Sequence, residues 1–212
     1  MKPDTMSILE EVIQSGFADT FSYDEYVEIS RLQAERGETS GPNQSDSLIG
    51  YTKLNWARMR RLNKTAQLSE QTLDTLAHLD RSITLVFITE TWCGDAIQLA
   101  PFVARMTGAS PKLDARFMWR DQAPHLIEEF LTNGGRSIPK VIALDEAGDA
   151  LFTWGPRPAP LQKIYDAWRA EEGPKPPYTE FSAELQKWYI QDKGATIQAE
   201  WNALLAPYVN KS

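Results

Sequence analysis

The sequence predicts an α/β protein, a strand-built core covered by helices, with further helices before and after it. Three observations carry this. The run "ITLVFIT", residues 83–89, is almost wholly apolar, β-branched and aromatic, as in a strand buried on both faces. From residue 69 onward, helical and strand patterns alternate. On both sides of that stretch, apolar residues recur at helical spacing. A chain of 212 residues with 42% hydrophobic content suits one moderately large domain, or an ordinary core with extensions.

The elements follow in order. "SILEEVIQSG" sets Ile8, Leu9, Val12 and Ile13 on one stripe and stops at Gly16, a short helix. Ser22 followed by Glu25 resembles a capping box, so a second helix starts there and ends near Gly37, with "GETSGPNQS" as a linker. Leu48, Tyr51, Asn55, Met59 and Leu62 place a long helix at 46–63. It carries Lys53, Arg58, Arg60, Arg61 and Lys64, read first as a solvated face and otherwise as a basic face for an anionic partner or low-molecular-weight thiol. A short helix follows Ser69, and "ITLVFIT" is then the central-strand candidate. "GDAIQLAPFVARMTG" reads as a helix with a kink at Pro101. "DARFMWR" is a second strand and "APHLIEEFLTNGG" a helix built on Leu126, Ile127, Phe130 and Leu131. "IPKVIALDEAGDALFTWG" gives two strands about the turn "DEAGD", and "PLQKIYDAWRAEEG" a helix closing at Gly173 before "PKPP". Two last helices repeat one spacing, in Phe181, Leu185, Trp188 and Tyr189 and again in Ile197, Trp201, Leu204 and Leu205.

The net charge of −7 argues against broad attraction to nucleic acid or an anionic membrane, and neither is expected as a partner. No apolar run reaches the roughly 18 residues of a membrane span and no signal peptide opens the chain, so a cytoplasmic location is expected. One cysteine excludes an internal disulfide, and with only His78 and His125 besides, no zinc cluster or other metal site is expected. Both histidines read as structural or exposed.

That single cysteine, Cys93, stands between the apolar strand and the first turn of a helix. Free backbone N–H groups and the helix dipole favour a thiolate there, although a lone cysteine taken at random is more often a small packed residue. Trp92 precedes it, Gly94 follows it, and "GRSIPKVI" at 135–142 places Pro139 at the opening of a later strand. The element order puts both motifs at edges of one sheet.

With these residues in view, the stretch 66–172 resembles the thioredoxin family. "TWCGDA" is similar to the active-site segment Trp-Cys-Gly-x-Cys, "RSIP" to the loop with the family's cis-proline, and "FTWG" to the glycine turn beside its substrate groove. The resemblance implies a three-layer α/β/α sandwich with a central mixed sheet, flanked by an N-terminal helical extension over 1–65 and a C-terminal one over 173–212 packed on the core. It also implies that Cys93 is the catalytic nucleophile and that Pro139 forms a cis peptide beside it. Trp92, Gly94, Asp95, Ile138, Pro139 and Gly155 then belong to the substrate-binding surface.

Two departures define the chemistry. Ala96 stands where the family has its resolving cysteine, so a bound substrate cannot be released within the chain. Phe87 stands where many thioredoxins have a buried aspartate that serves the resolving thiol. An engineered trap would also carry alanine at 96, but Phe87 fits a natural single-cysteine protein better. Asp95, with Glu90 as a further contributor, opposes a thiolate, so only a moderately depressed Cys93 pKa is expected. Arg157, in "TWGPRPAP", reads first as part of a proline-rich connection and otherwise as a rim cation for an acidic substrate group.

The leading expectation is a monothiol oxidoreductase: Cys93 forms a mixed disulfide with a protein or a low-molecular-weight thiol, and an external thiol resolves it. No bound cofactor is expected, and glutathione or another small thiol would be a co-substrate. The alternative is a non-catalytic binding module that keeps the groove. Iron–sulfur transfer is a third class, but its single-cysteine carriers have Cys-Gly-Phe-Ser, from which "CGDA" departs at the last two positions.

Overall fold

A computed structural model describes residues 20–210, so the helix expected over 8–16 lies outside the described residues. In chain order these contain α1 (Tyr23–Arg36), α2 (Asp46–Thr65), α3 (Glu70–Ala77), β1 (Ile83–Thr89), α4 (Ala96–Ala109), β2 (Leu113–Trp119), α5 (Pro124–Glu129), β3 (Lys140–Leu144), β4 (Ala150–Trp154), α6 (Ala159–Ala170), α7 (Tyr178–Asp192) and α8 (Ala195–Leu205). The four strands form one mixed sheet in the order β2-β1-β3-β4. β1 runs parallel to β2 and antiparallel to β3, and β3 pairs antiparallel with β4.

β1 takes the centre because both of its faces are apolar: Leu85, Val86, Phe87 and Ile88 are all fully buried. Phe87 stacks on its cross-strand neighbour Phe117 at 4.6 Å, so aromatic packing fills this part of the strand's buried face. Cys93 follows β1 and Pro139 precedes β3. The two motifs therefore meet at the ends of adjacent inner strands, and not at the sheet's edges.

α1 begins with a reciprocal cap: the Ser22 hydroxyl accepts from the Glu25 N–H, and the Glu25 carboxylate accepts from the Ser22 N–H. Just before it, Phe21 exchanges backbone hydrogen bonds with Phe117 and occupies part of the exposed β2 edge. α1 packs on α2, and α2 on α4. α4 continues through Pro101 as one helix. At the other end, Trp201 of α8 is fully buried and meets Phe152 edge-on at 6.3 Å, with Trp154 also against it.

Two segments differ from the sequence reading. The helix expected over 123–135 stops at Glu129, because Asn133 and Gly134 take positive φ values of 50° and 74° and Thr132 and Gly135 exchange backbone hydrogen bonds. This is the Asn-Gly turn chemistry of a hairpin, and it overrides the apolar periodicity. The expected linker is a built-in strap: Thr39 and Ser40 are each 4% exposed and hydrogen-bond to the loop that carries Cys93. No helix of the described residues is long and apolar enough to cross a membrane.

Candidate functional site

The segment between β1 and α4 holds Cys93, and the N-terminal helices fix that segment from outside. Ser40 accepts from the Thr91 N–H at 2.8 Å and donates its own N–H to the Thr91 hydroxyl at 3.0 Å. Thr91 also donates to Gln33 of α1 at 2.7 Å, and Asn55 of α2 donates to the Thr91 carbonyl at 3.0 Å. The Thr91 N–H, hydroxyl and carbonyl thus all have partners, as burial demands. Glu90 is fully buried, its Oε1 accepting from the Asp121 N–H at 3.1 Å, and burial pushes its carboxyl pKa up.

Cys93 is 5% exposed. Its Sγ donates to the Ile138 carbonyl at 3.3 Å, and the Ala96 N–H points to the sulfur from 3.5 Å. The Ile138–Pro139 peptide is cis, as is Gly155–Pro156. Gly155 has φ +111°, and a Cβ there would press into the Pro139 carbonyl, so a side chain cannot be placed behind the Pro139 loop.

Asp95 is the group most altered from expectation. Its Oδ2 pairs with Arg157 at 2.7 Å, both side chains being less than one-tenth exposed, and its Oδ1 accepts from the Tyr189 hydroxyl of α7 at 3.0 Å. Burial pushes the Asp95 carboxyl pKa up, while Arg157 and Tyr189 act in the opposite sense. The acidic partner of Arg157 is thus internal. Gly94 lies between two walls: its carbonyl accepts from Gln186 of α7 at 3.2 Å, and a Cβ would approach Arg58 and Asn55 of α2.

These contacts correct the expected thiol acidity. Burial first, and the Asp95 carboxylate second, push the Cys93 thiol up from an ordinary value of 9.0 to about 12. The Ala96 N–H and Arg157 pull it down but do not prevail. Resting Cys93 is therefore a neutral thiol donating to a carbonyl, because desolvation outweighs the helix terminus.

A cavity of about 380 Å³ opens against the sulfur. Of the residues singled out from sequence, Trp92, Cys93, Gly94, Asp95 and Ile138 line it. Pro139 and Gly155 do not; they lie close against each other outside its lining. Arg157 also lines the cavity, its guanidinium 3.9 Å from the Tyr165 ring centre. Arg58, from the basic face of α2, lines it too; sequence reasoning missed the other wall residues, Leu48 and Tyr51 from α2, and Tyr178, Ser182, Leu185 and Gln186 from α7. Each set lies on a single helical stripe, which is the signal that was present. His78 and His125 are exposed, and no group of three or more metal-binding side chains gathers among the described residues.

A family model described as "Thioredoxin" matches residues 41–169. Among solved structures, a protein of unknown function from Pseudomonas aeruginosa aligns with a TM-score of 0.51 and 18% identity, over 74% of this chain and 85% of that one. An HIV epitope scaffold aligns with a TM-score of 0.52 and 17% identity, over 88% of this chain and 99% of that one. Both likenesses are of fold. None of the curated proteins matches the sequence.

Proposed function

We propose, from the premise that this chain belongs to the thioredoxin family, that it is a single-cysteine thiol–disulfide exchange protein with Cys93 as its nucleophile. The observation that carries this reading is the sulfur's place: it faces the Ile138 carbonyl beside Pro139 and borders a cavity large enough for a small substrate. In the forward step the Cys93 sulfur attacks a disulfide RS–SR′. One S–S bond breaks as Cys93–S–S–R forms, and the thiol proton leaves with the departing sulfur as R′SH. A second thiol R″SH then attacks the mixed disulfide, forming R″S–SR and restoring Cys93–SH, because Ala96 offers no sulfur.

A neutral resting thiol changes where the rate must come from. Holding the disulfide against the sulfur supplies it, in place of a stored thiolate. The Ala96 N–H at 3.5 Å is placed to receive the negative charge as it develops on sulfur. Intact mass after exposure to small disulfides tests the reading. One adduct, reversed by excess thiol and missing from Cys93→Ser, is the expected outcome; an unmodified wild-type protein would overturn it.

A second reading, a non-catalytic binding module, is favoured by the 5% exposure of Cys93 and its upward-shifted thiol. Ligand or partner capture unchanged by Cys93→Ser, together with no adduct, would favour it over exchange.

A further inference from the structure

The groove beside Cys93 is walled by helices from both sides of the core, through Tyr51 and Arg58 of α2 and Tyr178 and Gln186 of α7. Its charge is one-sided. Four arginines line it, Arg58, Arg120, Arg136 and Arg157, against one carboxylate, Asp95. Asp95 is already engaged by Arg157, while Arg120 and Arg136 have Asp121 and Glu128. Arg58 differs from these. It is half-buried, donates to the neutral amide oxygen of Asn55 at 3.1 Å, and forms no ion pair with a carboxylate among the described residues. Arg157, with its side chain only 7% exposed, leaves its Nε without a hydrogen-bond partner. Cations withdrawn from water without enough counter-charge favour an incoming anion.

We infer that the cavity binds a small thiol or disulfide bearing carboxylate groups, one of which meets Arg58 and Arg157 while the sulfur reaches Cys93. The sulfur's role rests on the exchange reading, whereas the recognition of the acid does not. Folded proteins are then poorer substrates, because α2 and α7 both wall the groove beside Cys93, which is only 5% exposed. In the reaction, Cys93–SH and RS–SR give Cys93–S–S–R and RSH, with no further oxidant required.

Three disulfides differing in charge test this on Cys93→Ser protein, which binds without reacting: oxidised glutathione, bis(2-hydroxyethyl) disulfide and cystamine. With Trp92 in the cavity wall, tryptophan fluorescence reports occupancy. The acidic probe should bind at least about tenfold more tightly than cystamine, and Arg58→Gln should remove about tenfold of that affinity. Added salt should narrow the gap. Equal affinity for all three probes overturns the inference, as does faster reaction of the wild type with the disulfides of folded insulin than with oxidised glutathione. Adducts with all three probes alike, without charge preference in binding, leave exchange standing and remove this inference. Binding of the acidic probe without any adduct does the reverse.

Discussion

Raising the pH on a protein with one buried thiol gives a number that separates this site from an activated cysteine. Cys93 is pushed from an ordinary 9.0 to about 12, so near pH 7.5 its thiolate is about 1,000-fold rarer than that of a free cysteine. A more basic thiolate is also a better nucleophile, and a Brønsted slope near 0.45 over that shift returns about 20-fold. Net alkylation by iodoacetamide should then run about 50-fold slower than for a free thiol, before any loss from poor access. The rate should keep rising through pH 10 without a plateau. Stopped samples across pH 6–11, read by intact mass, provide the assay. An inflection at or below 9, or a neutral-pH rate within about fivefold of a free thiol, would refute the claim that burial controls this sulfur.

Other outcomes follow from the same geometry. Because Cys93 titrates higher folded than unfolded, its contribution to stability is whole below about pH 9 and is lost as pH rises toward 12, at up to about 1.4 kcal/mol per unit. Urea unfolding should show that alkaline slope in the wild type and a shallower one in Cys93→Ala; parallel slopes would count against it. Arg157→Gln leaves the buried Asp95 carboxylate without its cation and should cost about 3–5 kcal/mol, with Tm as the readout; a loss under about 1 kcal/mol would mean that water reaches Asp95 freely. Gly155→Ala adds a methyl against the Pro139 carbonyl at φ +111° and should cost more than about 2 kcal/mol, with slower adduct formation at Cys93. Trp201→Ala should cost about 3–5 kcal/mol if α8 is integral to the core, and an unchanged denaturation midpoint would argue otherwise.

What the sequence made legible was local or periodic. Ser22 and Glu25 sit three residues apart and cap one helix turn, so their pairing needs no distant part of the chain. β1 announced its central place because every side chain from Leu85 to Ile88 had to be buried on one face or the other. Leu126, Ile127, Phe130 and Leu131 misled, since a true stripe ran into an Asn-Gly turn and left Leu131 exposed. The thiol's acidity differs in sign from the sequence reading because the helix terminus can be read from neighbours in sequence, whereas burial depends on segments arriving from far away, the Ile138 carbonyl among them. Arg157 belonged at the site for the same non-local reason, with Asp95 as its partner across the fold.

The two walls of the cavity have a consequence in time. α2 precedes the cysteine in the chain, but Tyr178, Ser182, Leu185 and Gln186 follow it by more than eighty residues. During synthesis from the N-terminus, Cys93 is therefore made long before the helix that completes its groove. Over that interval the groove beside the sulfur lacks one of its two walls. Docking of α7 supplies that wall, so the complete groove beside the chain's only cysteine exists only once nearly the whole sequence has been made.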